Sequence, residues 1–441
     1  MQLRPSLLLV LIVLAYLVIG TLYAIKTPAW QVPDEPAQYN YVAQVYKNGC
    51  CPKMEPGDWD NDYLEAIKAA RFAPSILERL STIQYEDHQP PLYYLLVLPV
   101  YAISEGSLTA LRLASVLIGA GVVILAWAAV QTVFPAQPWL ALATAAFVAF
   151  LPQHVFMMAG VENDSLAELI VALVLFLGVL YLGGRRQIHP LILGLLMGAA
   201  FITKLTVYLP VVGVIGLAVL LRARRECWPM GRLPRQSAWI LVPALLIGGV
   251  WWTRNIITYG SVADFMVQKT HDAVVVGQER TDDYQAQHGG VGGWLRDGVS
   301  ITFHSFWGQF GWMGVPMPDS FYTGLLAFTV FVIVGALIAA IRWRGALNVI
   351  QREQLLLLGT AAFLAFAAFA GYNFKFVQFQ GRYLYPGLIP IGLFVAAGLA
   401  GWAPLVAPRS PVARWLTVGI VCLLALLDVY ALYRFILPML A

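Results

Sequence analysis

Apolar runs of about 20 residues recur from one end of this chain to the other, and that recurrence constrains its fold more than any other feature. Each run is long enough to cross a hydrocarbon slab of roughly 30 Å. In that slab the backbone must satisfy its own hydrogen bonds, so the runs must be helices. The 441 residues are 59% hydrophobic and only 12% charged. A soluble domain carries roughly twice that charged share, and a larger soluble core would not produce periodic 20-residue runs. The net charge of +4 is too small to define a partner, and no feature indicates nucleic acid.

The apolar windows are 7–25, 90–103, 108–130, 138–157, 165–182, 190–204, 206–221, 238–257, 321–341, 354–371, 383–402 and 415–436. The first, preceded by Arg4, has no clean small-x-small cleavage site and is expected to stay as an anchor and first span. Short loops rich in arginine then orient the rest. They hold Arg185 and Arg186; Arg222, Arg224, Arg225, Arg232 and Arg235; Arg342, Arg344 and Arg352; and Arg409 and Arg414. All of these share the side of Arg4 only if 90–103 does not cross. That window has 14 residues, short for a span, and is read as interfacial or re-entrant. By the same parity 190–221 is a hairpin of two spans turning near Lys204. The expectation is an all-α integral membrane protein of about eleven transmembrane helices, multi-pass in the cell membrane, with its N-terminus cytoplasmic. Two large loops, 26–107 and 259–320, would lie on the extracytoplasmic side, the first carrying juxtamembrane helices. Cys50, Cys51, Cys227 and Cys422 lack any metal-ligand spacing and read as ordinary thiols.

Residues able to do chemistry gather at the outer ends of the spans. Pro33-Asp34-Glu35-Pro36 follows the first span directly. Two prolines stiffen the backbone around two carboxylates and can fix a general base at the membrane surface; a solvated acidic turn is the plain alternative. Glu86-Asp87-His88-Gln89-Pro90-Pro91 opens the interfacial helix, where free N–H groups and an imidazole could receive a phosphate; a capped amphipathic helix is the alternative there. Glu162-Asn163-Asp164 starts a span, as an N-cap would. Arg112, Lys204, Arg254 and Arg382 are cations at outer span ends. Each alone could snorkel to the interface, but four near one surface facing acidic loops point to a shared anion site. Lys204 is the most telling, because it interrupts an apolar hairpin. There is no phosphate-cradling Gly-rich loop, dinucleotide turn or serine nucleophile elbow.

At these residues the chain resembles the GT-C superfamily of integral membrane glycosyltransferases, in the branch of the protein O-mannosyltransferases and lipid A aminoarabinose transferases. The resemblance rests on Pro33-Asp34-Glu35-Pro36, His88-Gln89-Pro90-Pro91-Leu92-Tyr93-Tyr94, Leu111-Arg112-Leu113-Ala114-Ser115 and Asp164. It continues through Thr203-Lys204, Trp251-Trp252-Thr253-Arg254-Asn255 and Gln380-Gly381-Arg382-Tyr383-Leu384-Tyr385-Pro386, and so covers most of the chain as one domain. It implies a polyprenyl-phosphate sugar donor and transfer, on the extracytoplasmic face, to a glycan, lipid or protein acceptor. Asp34 falls at the catalytic carboxylate position, with Glu35 beside it. Arg382, Lys204, Arg254, His88 and Arg112 would then bind the donor phosphate, and Glu162, Asp164 and Asp87 would position the acceptor or a divalent ion. His88 and Gln89 stand where some relatives use other residues, which leaves a metal open. A flippase or transporter of a lipid-linked substrate is the rival reading, and a non-catalytic subunit of cell-envelope glycan assembly a third. Transporters place polar groups at the midplane of broken helices, whereas here most spans are apolar at their centres.

Overall fold

A computed structural model describes residues 5–184, 188–406 and 412–440, without the side chains of 404–406 and 412–414. Arg4, Arg185, Arg186, Arg409 and the side chain of Arg414 therefore lie outside the described residues. The architecture is all-α, apart from one two-residue hairpin pairing Gln309–Phe310 with Val315–Pro316. The helices are α1 (Pro5–Lys26), α2 (Glu35–Asn48), α3 (Asn61–Ala69), α4 (Leu92–Ile103), α5 (Leu108–Val133), α6 (Pro138–Ala149), α7 (Pro152–Met158), α8 (Asp164–Gly183), α9 (Pro190–Phe201) and α10 (Tyr208–Arg225). They continue as α11 (Arg232–Tyr259), α12 (Gln268–Val274), α13 (Thr281–Gln287), α14 (Gly290–Trp307), α15 (Asp319–Trp343), α16 (Val349–Asn373), α17 (Leu388–Val406), α18 (Val412–Cys422), α19 (Leu424–Ala431) and α20 (Leu437–Leu440).

Among the described residues nine helical segments are long and apolar enough to cross a membrane. The last of them, Trp415–Leu440, joins α18, α19 and α20 through a π-helical turn at Leu432–Ile436. The window 138–157 is instead a pair, α6 and α7, bent by 62°. Pro152 begins α7 and cannot donate back into α6. His154 Nδ1 lies 2.7 Å from the Val148 carbonyl that the break leaves free, and its Nε2 lies 3.0 Å from Glu168 on α8. The pair counts as a tenth crossing only if its two halves make one span. The eleventh expected span, 190–204, ends early: α9 has 12 residues, about 18 Å of helix, and breaks at Lys204. The expected interfacial helix is α4, also 12 residues and buried along Tyr93, Tyr94 and Val97.

Glycine permits the tightest helix crossing. A Cβ on Gly335 of α15 would sit 2.0 Å from the Gly398 carbonyl of α17, and one on Gly401 would sit 1.9 Å from the Gly335 carbonyl. Only bare backbones fit there, the packing that small residues allow in membranes.

The two long connections are folded, not open loops. Ala37, Met54, Leu64, Ile67, Phe72, Ile83, Tyr85 and Val274 make a second, smaller core. Trp59 Nε1 donates to the Val276 carbonyl at 2.9 Å, and Trp312 Nε1 to the Trp30 carbonyl at 2.9 Å, so 26–91 and 260–318 close over one end of the bundle as a cap. Cys50 and Cys51, read as ordinary thiols, are disulfide-bonded to each other there; Cys227 and Cys422 are free. At the opposite end Arg225 pairs with Glu353, and Gln351 Nε2 donates to the Val133 carbonyl at 3.0 Å. The basic loops after α10 and α15 therefore share the end away from the cap.

Candidate functional site

The site is assembled where the cap meets the bundle, beginning with the turn that leaves α1. Asp34 is the residue before α2, with φ 66° and ψ −7°. Its side chain makes no capping bond to the helix. It turns away instead: Tyr85 Oη donates to Oδ1 at 2.8 Å, and Arg382 Nη2 donates to Oδ2 at 2.5 Å. Arg382 stands in the 3₁₀ turn Gly381–Gly387. That turn is pressed onto α14, where a Cβ on Gly381 would lie 2.3 Å from the Phe306 nitrogen, and Gly381 N–H donates to Ser305 Oγ at 2.8 Å. The guanidinium also donates through Nε to Gln380 at 2.8 Å and through Nη1 to Glu162 at 3.3 Å. It thus bridges carboxylates from the turn before α2 and from the α7–α8 turn. Lys204, in the break after α9, reaches Asp164 at 2.8 Å.

These groups open onto one cavity of about 570 Å³. Asp34, His88, Lys204 and Arg382 line its polar end, with Gln38, Tyr85, Glu86, Gln378 and Gln380. Leu205 just before α10, Tyr208 and Leu209 at its start, Trp251 of α11, and Ala368 and Phe369 of α16 supply apolar lining. Gln268, His271, Gln278 and Glu279 of the second capping segment complete the rim. Glu162 and Asp164 stand behind the wall and touch the cavity through Arg382 and Lys204.

Electrostatics separates the carboxylates. Burial alone would raise the pKa of Asp34, but Arg382, Tyr85 and Lys204 together outweigh it and hold the carboxyl below its ordinary value. Asp34 is therefore ionised at neutral pH and able to accept a proton. Burial first, then the Asp34 charge, push Glu86 up to about 7. Burial pushes Glu162 well above the ordinary range against Lys204 and Arg382, and its Oε2 has no hydrogen-bond partner among the described residues. His88 is held down to about 3 by burial and by His271, whose ring lies 4.6 Å away. With Nδ1 donating to the Tyr85 carbonyl at 2.9 Å, the neutral ring can offer a phosphate no charge.

Four expected site residues sit elsewhere. Glu35 and Arg112 pair with each other in the interior, with side-chain exposures of 0% and 2%. Arg254 donates to the Cys51 carbonyl at 2.8 Å and to the Pro52 carbonyl, tying α11 to the cap. Asp87 accepts both contacts of the Gln44 amide, at 3.0 and 2.8 Å, and burial pushes its carboxyl up to about 8. None of the four lines the cavity. Nor do three His, Cys, Asp or Glu side chains among the described residues gather as a set able to hold a metal ion. Asp34, Glu162 and Asp164 each face a cation, a poor donor set for a divalent ion. Sequence reading assigned no individual role to Tyr85 or Gln380, which stand in or beside the motifs it singled out, and none to Gln38. Gln38 carried a usable signal, since it lies one helical turn beyond Asp34 and shares its face.

Residues 88–252 match the family described as dolichyl-phosphate-mannose-protein mannosyltransferase. The fold is similar to that of ArnT from Cupriavidus metallidurans bound to undecaprenyl phosphate, with TM-score 0.54 and 15% identity over 98% of this chain and 73% of that one. It is similar to the same protein in its apo state, with TM-score 0.52 and 16% identity over the same shares of each chain. No curated protein is significantly similar to the chain in sequence. The chain therefore has the fold of the GT-C membrane glycosyltransferases, and residues 88–252 match their protein-mannosyltransferase branch.

Proposed function

We propose that the chain is a membrane glycosyltransferase that moves a sugar from a polyprenyl-phosphate donor to an acceptor on the extracytoplasmic face, by one inverting displacement. The contact between Asp34 and Arg382 at the polar end of an amphipathic cavity carries this reading. Asp34 takes the proton of the acceptor hydroxyl or amine. The acceptor atom bonds to the anomeric carbon as the bond from that carbon to the phosphate oxygen breaks. The leaving phosphate keeps the electron pair, and Arg382 and Lys204 face its charge. An arriving phosphate competes with Asp34 for the Arg382 guanidinium. Substrate binding thus removes a charge that holds the carboxyl weakly basic, and the base strengthens when it is needed. The apolar lining suits the prenyl chain. That ArnT is similar in fold and was captured with undecaprenyl phosphate supports a lipid phosphate as partner.

Binding of undecaprenyl phosphate to the purified protein in nanodiscs tests the donor half of this reading. Arg382→Lys keeps the charge but loses the planar fork that reaches two partners at once. It should weaken binding at least about tenfold, one charge-assisted hydrogen bond. Equal affinity in wild type and variant, or no binding by the wild type, overturns the assignment. Orientation has its own test, because Cys227 is an exposed free thiol in the basic loop after α10. A membrane-impermeant maleimide should leave Cys227 unlabelled in intact cells and label it once the membrane is opened. Labelling from outside would invert the topology and move the cavity to the cytoplasmic face.

A further inference from the structure

We propose that the sugar entering this cavity is uncharged and is read through its hydroxyls by Glu86, Gln38 and Gln378, while a sugar bearing an ammonium is rejected; this rests on the transferase reading above. The polar wall beyond the Asp34–Arg382 pair is built mainly of amides, with Gln38, Gln89, Gln278, Gln378, Gln380 and Asn373 all lining it. An amide offers donors and an acceptor side by side, as a hydroxyl does. An ammonium offers donors only and needs a negative partner.

The amides are held in place on both walls. On one, Gln380 Oε1 accepts from Arg382 Nε at 2.8 Å and Gln380 Nε2 donates to Gln378 Oε1 at 2.9 Å, while the Gln378 backbone N–H donates to Asn373 Oδ1 at 2.8 Å. This ties the orientation of Gln378 to the same arginine that would face the phosphate. On the other wall Gln38 Nε2 donates to Glu86 at 3.3 Å, and Gln38 Oε1 accepts from Tyr94 Oη at 2.6 Å. A sugar attached to a phosphate at Arg382 and Lys204 would lie between these two walls.

Most carboxylates near the phosphate-binding cations are already paired with them, which leaves an ammonium few partners. Asp34 and Glu162 face Arg382, and Asp164 faces Lys204. Apart from Asp34 and Glu86, the remaining lining carboxylate among the described residues is Glu279, exposed at the rim. Glu86 is buried beside Asp34, and burial with that charge raises its carboxyl to about 7, so a protonated form that can donate to a hydroxyl oxygen is well populated at neutral pH. An ammonium reaching Glu86 would have to approach the cations Arg382 and Lys204, which line the same cavity.

The test uses three matched lipids and the full-length protein in nanodiscs at neutral pH: undecaprenyl phosphate, undecaprenyl phosphoglucose, and the phosphoglucosamine lipid that differs from it by one ammonium. The glucose lipid should bind at least about tenfold more tightly than the glucosamine lipid, as a polar site built for hydroxyls discriminates. Equal or tighter binding of the glucosamine lipid, with undecaprenyl phosphate still bound, overturns this proposal and leaves the transferase reading standing. Failure of all three lipids to bind overturns both. Gln378→Glu puts a fixed negative charge on the amide wall and should narrow the glucose-to-glucosamine ratio at least about threefold, roughly 0.7 kcal/mol at RT of about 0.6 kcal/mol. An unchanged ratio removes Gln378 from the recognition site.

Discussion

Asp34→Asn is expected to lower transfer by about a thousandfold, near the middle of the range for loss of a positioned general base. The substitution isolates the proton-accepting role unusually well. Position 34 has φ 66°, in the left-handed region where most residues are strained and where asparagine, like aspartate, is enriched. The backbone that launches α2 should therefore persist. The amide oxygen can still accept from Tyr85, which donates to Oδ1 in the wild type. What disappears is the negative charge that faces Arg382. That guanidinium keeps Glu162 and Gln380 but loses its 2.5 Å contact, so it becomes more available to a phosphate. Two measurements should diverge: turnover of a labelled donor lipid collapses, while undecaprenyl phosphate binds as well as in wild type or more tightly. Turnover within about tenfold of wild type would mean another group takes the proton. Glu86, the other carboxyl lining the polar end, would then be the first alternative to examine.

How far the sequence determines this arrangement can be followed residue by residue. The spans were legible because hydrocarbon admits only helices, and the length of a run is then nearly the length of a helix. The exceptions are places where a local group breaks a run that stays largely apolar. Pro152 lies inside a largely apolar window, followed by Gln153 and His154, and divides it into α6 and α7. Helix α14 was missed for the converse reason: Gly292, Gly293, Arg296 and Asp297 dilute its apolar residues, yet it forms 18 residues of helix against the Arg382 turn. In the site, the meeting of Asp34 with Arg382, 348 residues apart, followed from charges gathering at one set of span ends. That reasoning fixes a common surface but no pairing. Arg254 reaches the same surface and is spent on carbonyls of the first capping segment. The choice among cations is made by turns such as Gly381, whose backbone contact with α14 leaves no sequence period to read.

The pairing of Glu35 with Arg112 yields the second large effect, one on stability. Adjacent carboxylates after a span read as a catalytic couple, but Glu35 opens α2 facing inward while Asp34 faces the cavity. Arg112 Nε and Nη2 donate to the two Glu35 oxygens at 2.7 and 2.6 Å, and the backbone N–H groups of Val161 and Trp30 add contacts at 3.2 and 3.1 Å. The guanidinium also donates to the carbonyls of Ala24, Thr27 and Pro28 at 3.3, 2.7 and 3.0 Å, closing the C-terminal end of α1. Both charges are thus fully bonded, and removing one strands the other out of water. Glu35→Ala and Arg112→Ala should each cost about 3–5 kcal/mol, read as a clear fall in the midpoint of thermal unfolding in detergent. The double variant should lose less than the sum of the two, because the second substitution removes the stranded charge the first creates. It should not recover fully, since the carbonyls of Ala24, Thr27 and Pro28 lose the guanidinium that donates to them. Because Glu35 adjoins Asp34 and bonds the nitrogen of Val161, next to Glu162, the single variants should also lower turnover in the protein that stays folded. Unfolding midpoints within about 1 °C of wild type, a shift of roughly 1 kcal/mol for a chain of this size, would show that the pair does not anchor the capped end.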